Sequence, residues 1–426
     1  MAERAKLNFY GDTLRPDPSR TVVRPFEPGY PNGYDRGVTR TREVIDQIVA
    51  LDAEELTRQL EGVTASLDEN HRDVDAMLRR RFRDVAGQID RPDDVSDQQQ
   101  RLIGAYFSQE YAYEAAALFN PSAVPHPDQS GLVGGAVRFV LALRGIGEGH
   151  VSSVTFRTGI WTPGGSLQID PASPTSVSPI IEKSDGSVVR LNCGGSRTLS
   201  ETVLFPILPS QRQGIEDVRL VRFQDDDGAV TYHGTYTAFS GAEARSELLT
   251  STNFHSFEMR PLAGDVASTK GMALFPRRID GCYVMLGRQD NKNIWLNRSD
   301  DILHWQGGAK LVSPRYPWEF VQMGNCGSPI EVDEGWLVMT HGVGNVRNYC
   351  IGACLLDKRD PSKLLARTPR PVLAPSPHER DGYVPNVVYS CGALVRDRQM
   401  LLPYAVADSF TSFATLSVDD LLMVME

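Results

Sequence analysis

The pattern of apolar and polar positions changes character near residue 119. Before that point, from about residue 39 to residue 118, proline is rare and apolar residues recur at helical spacing, as between Val44 and Leu60. The spacing predicts one helix across that run, a second over residues 68–89 and a third over residues 96–118. We therefore expect residues 39–118 to form a helical unit that follows an N-terminal segment, residues 1–38.

After Phe119 the pattern becomes that of β-strands. Short segments rich in β-branched and aromatic residues are bounded by Gly, Asp, Asn and Pro, which is typical of antiparallel hairpins. No helical segments alternate with them, so a parallel α/β sheet is disfavoured. The strands predicted most clearly are residues 137–143, 151–157, 188–191, 218–223, 283–286, 336–340 and 401–405.

Two turn patterns repeat within this β region. An acidic residue followed by glycine occurs at Asp227-Gly228, Asp280-Gly281 and Glu334-Gly335, so the three glycines are 53 and 54 residues apart. A serine followed two positions later by Asp or Asn and then by apolar and aromatic residues starts at Ser251 and Ser299, with a degenerate copy at Ser417. A period of about 50 residues is typical of β-propeller blades.

The β region, residues 119–426, has room for five blades of about 60 residues each. We expect the short apolar segment at residues 20–26 to add a strand to the last blade and to close the ring. The helical unit would then be an insertion near the N-terminus of a mainly β protein.

Composition and net charge indicate which partners and which compartment suit the protein. The chain has 426 residues, 44 Lys and Arg against 54 Asp and Glu, a formal net charge of −10 and a pI near 5.4. Such a surface repels polyanions, so nucleic acid and anionic membranes are disfavoured as partners. Six cysteines do not suggest a disulfide framework in a chain this long, and the N-terminus lacks an apolar signal region. We therefore expect a soluble, cytoplasmic protein.

Charged residues at the ends of predicted strands are the candidates for chemistry. Asp217 and Arg219 start a strand, and period-two alternation sends them to the same face. Lys270, Arg288 and His341 stand near the hairpins of successive units, and equivalent positions of propeller blades converge on the central channel. Several basic groups facing one acid would suit an anionic reactant beside a general acid. A surface ion pair and a structural histidine remain the simpler interpretations of these residues.

Several ordered motifs resemble glycoside hydrolase family 130. They span residues 119–426 and, through residues 20–26, a little of the N-terminus. The matching segments are residues 214–219 (GIEDVR), Lys270, residues 299–305, residues 335–342 (GWLVMTHG), Leu356-Asp357, residues 360–363 (DPSK), residues 382–388 (GYVPNVV) and residues 404–408 (YAVAD).

This resemblance implies a five-bladed β-propeller that acts on β-mannosides, mostly by phosphorolysis with inversion to α-mannose 1-phosphate. It implies that Asp217 is the catalytic acid, which protonates the leaving oxygen through a substrate hydroxyl. Phosphate-binding residues would be Lys270, Arg288, His341 and Arg219, and mannose-binding residues would be Asn120, Ser122, Arg144 and Asp408. The sequence departs from the family pattern at two places, Val218 in place of proline and Val406 in place of glycine.

Two other activities stay open. An inverting hydrolase needs a second carboxylate to activate water, whereas phosphate is itself a nucleophile and needs only positive charge to hold it. Glu148, Glu319 and Glu379 are available as hydrolytic bases, and a catalytically silent glycan-binding propeller is a third alternative. We expect no cofactor and no metal, an oligosaccharide and inorganic phosphate as substrates, and no nucleic-acid or membrane partner. The helical unit leaves room for a homo-oligomer contact.

Overall fold

The computed structural model describes residues 5–30, 37–184, 187–376 and 382–426. These residues form five α-helices and 27 β-strands, so the protein is mainly β, as the sequence predicts. The helices are α1 (Arg40–Val49), α2 (Ala53–Asp68), α3 (Val74–Val85), α4 (Asp97–Tyr106) and α5 (Val418–Met423). None of the helices in the described part of the chain is long and apolar enough to cross a membrane.

The strands of the N-terminal half are β1 (Asn8–Leu14), β2 (Thr21–Pro25), β3 (Ser108–Ala112), β4 (Ala117–Pro125), β5 (Val137–Ile146), β6 (Ser152–Trp161), β7 (Leu167–Ile169), β8 (Ile180–Ser184), β9 (Val189–Asn192), β10 (Val203–Leu204) and β11 (Gly214–Gln224). Those of the middle are β12 (Val230–Phe239), β13 (Ala244–Ser251), β14 (Ser256–Pro261), β15 (Ala273–Leu274), β16 (Tyr283–Gly287), β17 (Ile294–Ser299) and β18 (Ala309–Val312). The remaining strands are β19 (Gln322–Asn325), β20 (Ile330–Val332), β21 (Gly335–Val343), β22 (Tyr349–Leu356), β23 (Leu364–Arg367), β24 (Val388–Tyr389), β25 (Leu394–Arg396), β26 (Gln399–Val406) and β27 (Phe410–Ser417).

The chain divides into two compact units. One unit comprises Ser19–Ala112 and Ser173–Ser178 and contains α1 to α4 with the two-stranded sheet β2-β3. The other comprises Tyr113–Ala172 and Pro179–Glu426, together with the N-terminal residues up to Pro18. It contains all the other strands and α5.

The helical unit is built from amphipathic helices with polar caps. Thr39, Asp52 and Ser96 cap the N-termini of α1, α2 and α4, because their side-chain oxygens accept hydrogen bonds from backbone N–H groups of the first turn. The apolar faces form one core, whose fully buried members include Ile45, Leu56, Phe82, Leu102 and Ile103. Apolar residues at helical spacing therefore predicted the helical unit, but the single helix predicted across Val44 to Leu60 is wrong, because α1 ends at Val49 and α2 begins at Ala53.

The predicted extension of the third helix to residue 118 is wrong. Helix α4 ends at Tyr106, and β3 (Ser108–Ala112) then pairs with β2 (Thr21–Pro25) in antiparallel register. Val22 and Val23 on β2 need a partner strand for their backbone groups, and β3 supplies it. Long-range pairing of this kind leaves no helical or strand period in so short a segment.

The strands of the other unit lie in four sheets. One has eleven strands, in the order β4-β5-β6-β11-β12-β13-β14-β9-β8 with β7 and β10 beside β6, and it consists of two antiparallel groups that meet at the single parallel pair Gly214–Ser152. The second is β15-β16-β17-β18, the third β19-β21-β22-β23 with β20, and the fourth β1-β27-β26-β24 with β25. Each of the seven strands predicted from the sequence coincides with a strand of these sheets.

The two repeated patterns mark equivalent turns in different sheets. The acidic-glycine pairs Asp227-Gly228, Asp280-Gly281 and Glu334-Gly335 lie at hairpins where β12, β16 and β21 begin. The serine patterns at Ser251 and Ser299 join β13 to β14 and β17 to β18, where each serine Oγ accepts a backbone hydrogen bond. The constant spacing therefore reflects a repeated four-stranded unit.

The strand that completes the last sheet was misplaced by the sequence analysis. Residues 20–26 contain β2, which pairs with β3 in the helical unit, and β1 (Asn8–Leu14) is the segment that pairs with β27. Most of β1 is exposed, including Phe9, and its register is interrupted between Phe9 and Thr13. An exposed, irregular edge strand carries little apolar alternation, so its sequence gave no signal.

Candidate active site

Two matching β-bulges shape the site. In β11, Asp217 and Val218 stand opposite one residue of β12, and in β4, Asn120 and Pro121 stand opposite one residue of β5. The first residue of each bulge has a left-handed backbone, with φ of 54° at Asp217 and 50° at Asn120. An extra residue in one strand redirects the side chain that it carries. The two bulges thus bring Asn120 and Asp217 together.

Asp217 is a carboxylate among positive charges. Its Oδ1 accepts a hydrogen bond of 2.6 Å from Nδ2 of Asn120 and lies 3.4 Å from Nη1 of Arg144. Arg219 Nη2 is 3.9 Å from Oδ2, and Arg219 Nη1 bonds to the backbone oxygen of Asp217. Burial raises the pKa of Asp217, but Arg144, Arg219, the Asn120 hydrogen bond and Lys270 together hold it below its ordinary value. Asp217 is therefore ionised at neutral pH.

Glu216 is a site residue that the sequence analysis did not assign. Its Oε1 accepts a hydrogen bond of 2.7 Å from Arg144 Nη2, and its Oε2 lies 3.5 Å from Lys270 Nζ. Strict alternation along β11 would have sent Glu216 and Asp217 to opposite faces, and the bulge at Asp217 removes that alternation. The two adjacent acids in the sequence were the available signal.

The predicted anion-binding residues lie together beside Asp217. A Cβ placed on Gly271, the neighbour of Lys270, would be 3.8 Å from Arg288 Nε. Arg288 Nη1 is 3.1 Å from His341 Nε2. Close packing here depends on Gly324, where a Cβ would lie only 2.6 Å from His341 Cε1 and 3.1 Å from Arg288 Cδ.

Two tyrosines pack against His341, and one of them connects this group with Arg219. The ring of His341 stacks on Tyr349 with a centroid separation of 6.1 Å and lies 5.0 Å from the ring of Tyr389. The hydroxyl of Tyr389 accepts a hydrogen bond of 2.8 Å from Arg219 Nη2. Burial lowers the pKa of Arg219, but Tyr389, Cys391 and Asp217 raise it above its ordinary value, so the guanidinium stays charged.

His341 is a neutral group in this arrangement. Its side chain is buried, and burial together with Arg288 and Arg219 lowers its pKa well below the ordinary value. A guanidinium has only donors, so His341 Nε2 must accept the hydrogen bond from Arg288. The expectation of a cationic histidine is corrected: His341 orients Arg288, and Lys270, Arg288 and Arg219 carry the positive charge.

The predicted mannose-binding residues are only partly brought together. Arg144 lies across the ring of Phe119, 5.1 Å from its centroid, and contacts Asp217. Asp408 follows β26 in a left-handed turn, and burial and the charge of Asp217 raise its pKa to about 6, although Arg144 and Arg347 oppose the shift. Asp408 therefore changes its charge near neutral pH.

Ser122 does not face the site. It is completely buried, and its Oγ accepts a hydrogen bond of 2.9 Å from the backbone N–H of Leu220 on β11. A Cβ on Gly392 would come within 2.6 Å of this hydroxyl. The prediction that Ser122 lines the sugar pocket is thus corrected, because its hydroxyl holds strand β4 against the strand that carries Asp217.

The three predicted hydrolytic bases differ in their placement. Glu319 is buried, its Oε1 accepts a 2.6 Å hydrogen bond from Arg367 Nη2, and its Oε2 accepts backbone hydrogen bonds from Arg315 and Tyr316. It is a structural carboxylate, and the prediction that it activates water is wrong. Glu148 is exposed, at the start of a short 3₁₀ turn between β5 and β6. Glu379 lies outside the described residues.

A cavity of the described residues lies away from Asp217. It has a volume of about 660 Å³ and is lined, among others, by Arg222, Asp225, Arg277 and Glu331. Asp217 lies near the start of β11, whereas Arg222 and Asp225 lie at and just beyond its end. The chemistry-bearing groups around Asp217 therefore lie outside this cavity.

The mainly β fold holds Asp217 and Glu216 among several cations, and the comparison with known families identifies the class of protein. The family model described as beta-1,4-mannooligosaccharide phosphorylase matches residues 194–426, more than half of the chain. The chain belongs to glycoside hydrolase family 130.

Named relatives agree with this assignment. The chain is 35% identical over 228 residues to the 1,2-beta-oligomannan phosphorylase of Thermoanaerobacter sp. (strain X514). The aligned region covers 52% of this chain and 75% of that relative. The chain is also 31% identical over 251 residues to the beta-1,2-mannobiose phosphorylase of Listeria innocua. This alignment covers 56% of this chain and 68% of that relative. These matches span about half of the present chain.

Solved structures show the same fold. The Listeria innocua beta-1,2-mannobiose phosphorylase in complex with beta-1,2-mannobiose superposes with a TM-score of 0.52 and 23% identity, covering 74% of this chain and 92% of that structure. A second neighbour, described in a study of family members that hydrolyse beta-1,2 mannosidic linkages in Candida mannan, has a TM-score of 0.53 and 20% identity over 73% of this chain and 87% of its own.

Proposed function

We propose that the protein is a β-mannoside phosphorylase that converts a β-1,2- or β-1,4-linked manno-oligosaccharide and inorganic phosphate into α-mannose 1-phosphate and a shortened sugar. One observation carries the proposal: the Asp217 carboxylate lies beside a group of cations, Lys270, Arg288 and Arg219. Phosphate needs positive charge to bind and no base to become a nucleophile. The names of the relatives in glycoside hydrolase family 130 support the same reaction.

Several buried polar atoms at the site support ligand binding. Arg219 Nε, Arg288 Nε and Asn120 Oδ1 have no hydrogen-bond partner among the described residues. Buried polar atoms in proteins are almost always hydrogen-bonded, so these atoms are poised to bond to a ligand. Two of them belong to the proposed phosphate side and one to the mannose side.

In the proposed reaction, a phosphate oxygen attacks the anomeric carbon from the face opposite to the leaving group. The bond between that carbon and the leaving oxygen breaks, and a proton from Asp217 ends on the leaving oxygen by way of a sugar hydroxyl. Arg144 and Asp408 hold the non-reducing mannose, with Asn120 between the mannose and Asp217. Asp217 then regains its proton from protonated phosphate or from solvent water.

The electrostatics of Asp217 suggest when it becomes an acid. Burial raises the pKa of Asp217, but Arg144, Arg219, the Asn120 hydrogen bond and Lys270 lower it below its ordinary value. A bound phosphate dianion offsets these cations, and a nearby negative charge raises the pKa of a carboxyl group. Proton uptake by Asp217 would therefore accompany phosphate binding, which prepares the acid only when the nucleophile is present.

The finer architecture belongs to the same proposal. We infer that the four sheets form five propeller blades, since the eleven-stranded sheet contains two antiparallel groups. Residues 119–426 would be the catalytic domain and the helical unit an insertion, in a cytoplasmic protein that needs no cofactor. Light scattering of the full chain tests whether it forms a homo-oligomer.

Incubation with β-1,2- and β-1,4-linked mannobiose, with and without inorganic phosphate, tests the activity. We expect α-mannose 1-phosphate to form only when phosphate is present. Free mannose released at the same rate without phosphate would instead identify a hydrolase. Sugar binding without turnover under either condition would identify a glycan-binding protein.

A further inference from the structure

Glu216 stands between the two halves of the proposed site. Its Oε1 accepts a 2.7 Å hydrogen bond from Arg144 on the mannose side, and its Oε2 lies 3.5 Å from the ammonium of Lys270 on the phosphate side. The Glu216 side chain is only 15% exposed, whereas that of Lys270 is 45% exposed. One carboxylate thus neutralises two cations with different proposed tasks.

The two contacts differ in strength. The Arg144 contact is short, charge-assisted and formed between side chains that are both mostly shielded from water, so it anchors the carboxylate. The Lys270 contact is long and joins Glu216 to a largely exposed, flexible side chain, and such ion pairs contribute little. Lys270 can therefore exchange Glu216 for another anion while Glu216 stays in place.

We propose that Glu216 is a positioning residue that competes with phosphate for Lys270 and so limits how tightly the site holds phosphate and the anionic product. This inference rests on the proposed phosphorylase function. After Lys270 has turned to phosphate, the fixed negative charge of Glu216 remains close to the anion and repels it. Weaker retention favours departure of the sugar phosphate after each turnover.

The charge balance of the site agrees with this role. Arg144, Arg219, Arg288 and Lys270 bring four positive charges, while Glu216, Asp217 and the ionised form of Asp408 bring up to three negative charges. The net charge of the group is therefore positive, and bound phosphate lowers it. Loss of Glu216 would raise that net positive charge by one and strengthen the attraction for an anion.

Replacement of Glu216 by glutamine tests the proposal. The amide oxygen can still accept the hydrogen bond from Arg144, but the negative charge is lost. We expect Glu216→Gln to lower the KM for phosphate about two- to fivefold, a change of the size of an exposed ion pair, and to leave the KM for mannobiose within about twofold. Tighter phosphate binding cannot arise from damage to the fold. An unchanged or higher KM for phosphate would overturn the proposal.

Matched variants isolate the cause. Glu331→Gln is the control, because Glu331 also bridges an arginine and a lysine, Arg277 and Lys358, outside the proposed site. This variant should leave the KM for phosphate unchanged. Glu216→Asp keeps the charge and should stay near wild type. In a Lys270→Gln background the effect of Glu216→Gln should disappear, and its persistence would refute a role through Lys270.

Two further measurements keep the outcome decisive. Thermal unfolding shows whether Glu216→Gln is folded, and Glu216→Ala supplies a second neutral variant if it is not. Wild-type turnover with and without phosphate is measured in parallel. Phosphate-independent turnover would contradict the proposed function itself, whereas phosphate-dependent turnover with unaltered KM for phosphate in the variant would contradict only the role of Glu216.

Discussion

Asn120 and Asp217 occupy equivalent bulges in β4 and β11, and the amide of Asn120 donates a 2.6 Å hydrogen bond to the carboxylate of Asp217. This bond stabilises the ionised form of Asp217 and lowers its pKa. Loss of the bond in Asn120→Ala should raise that pKa, so that more of the acid is protonated at neutral pH. We expect the alkaline limb of the kcat/KM profile for mannobiose to move to higher pH, while the KM for mannobiose rises.

The pH profile of Asn120→Ala is compared with that of Asn192→Ala. Asn192 also donates to a carboxylate, that of Glu182, at an exposed position. Its loss should leave the profile unchanged. An Asn120→Ala profile that coincides with wild type would show that Asp217 is not the group that titrates.

Asp217→Asn should abolish nearly all turnover while the fold is retained. An amide cannot deliver the proton, and a general acid typically contributes a factor of about 10² to 10⁴. Formation of α-mannose 1-phosphate measures the loss, and circular dichroism checks the fold. Asp227→Asn, in the turn at the other end of the same strand, is the control, and an Asp217→Asn rate near wild type would refute the assignment.

His341→Ala should weaken phosphate binding by freeing Arg288. The variant removes the acceptor that lies 3.1 Å from Arg288 Nη1. A loss of about 1 kcal/mol, typical of one hydrogen bond, corresponds to roughly a fivefold higher KM for phosphate. The KM for mannobiose should change much less, and His341→Gln, which restores an acceptor, should recover part of the affinity. Equal increases in both KM values would point to general disruption instead.

Asp408 should make stability depend on pH. Its pKa is raised to about 6 in the folded protein, chiefly by burial and then by Asp217, and it is near 3.9 in an unfolded chain. The folded state therefore binds this proton more tightly, and the free energy of unfolding falls as pH rises from about 4 to 6 and stays lower above that.

Asp408→Asn removes this cost, so it should stabilise the protein by about 1–3 kcal/mol at pH 7.5 and by little at pH 4. Urea unfolding at both pH values measures the difference. A variant with the same stability difference at the two pH values would contradict the raised pKa. The KM for mannobiose should rise in the same variant because a proposed mannose ligand has lost its charge.

Glu319→Gln tests the structural role of the buried carboxylate. It leaves Arg367 without its ionic partner, which should lower the free energy of unfolding by about 3 kcal/mol. Glu331→Gln, in a more exposed pair, should cost at most about 1 kcal/mol. Turnover per folded molecule should remain at the wild-type level, and loss of hydrolytic turnover in a folded Glu319→Gln variant would restore Glu319 as a base.

Much of the fold could be predicted because it rests on local patterns. Amphipathic spacing predicted the helical unit, although it merged α1 and α2 into one helix, and the acidic-glycine turns predicted the repeated hairpins. The strand β1 could not be found in this way, because most of it is exposed and its pairing partner β27 lies some 400 residues away. Nothing local distinguishes such a segment from a loop.

The charged residues of the site could be predicted from the sequence, but the backbone bulges that arrange them could not. Lys270, Arg288 and His341 are close together in the structure, as their positions near hairpins suggested, but the neutral state of His341 depends on burial beside Arg288. Glu216 was overlooked because alternation assumes an unbroken strand. A left-handed residue such as Asp217 violates that assumption, and one sequence alone does not reveal it.

The paired bulges allow the same two strands both to fill the apolar core and to place the reactive side chains. Below Asp217 and Asn120, residues such as Val218, Leu220 and Val124 keep the register that fills the apolar core. The inserted residue lets the reactive end of each strand turn independently of that register. Polar groups at the bulges can therefore change during evolution without repacking the interior. Deletion of a single residue at either bulge, in contrast, would turn every buried side chain on one side of the bulge toward the wrong face of the sheet.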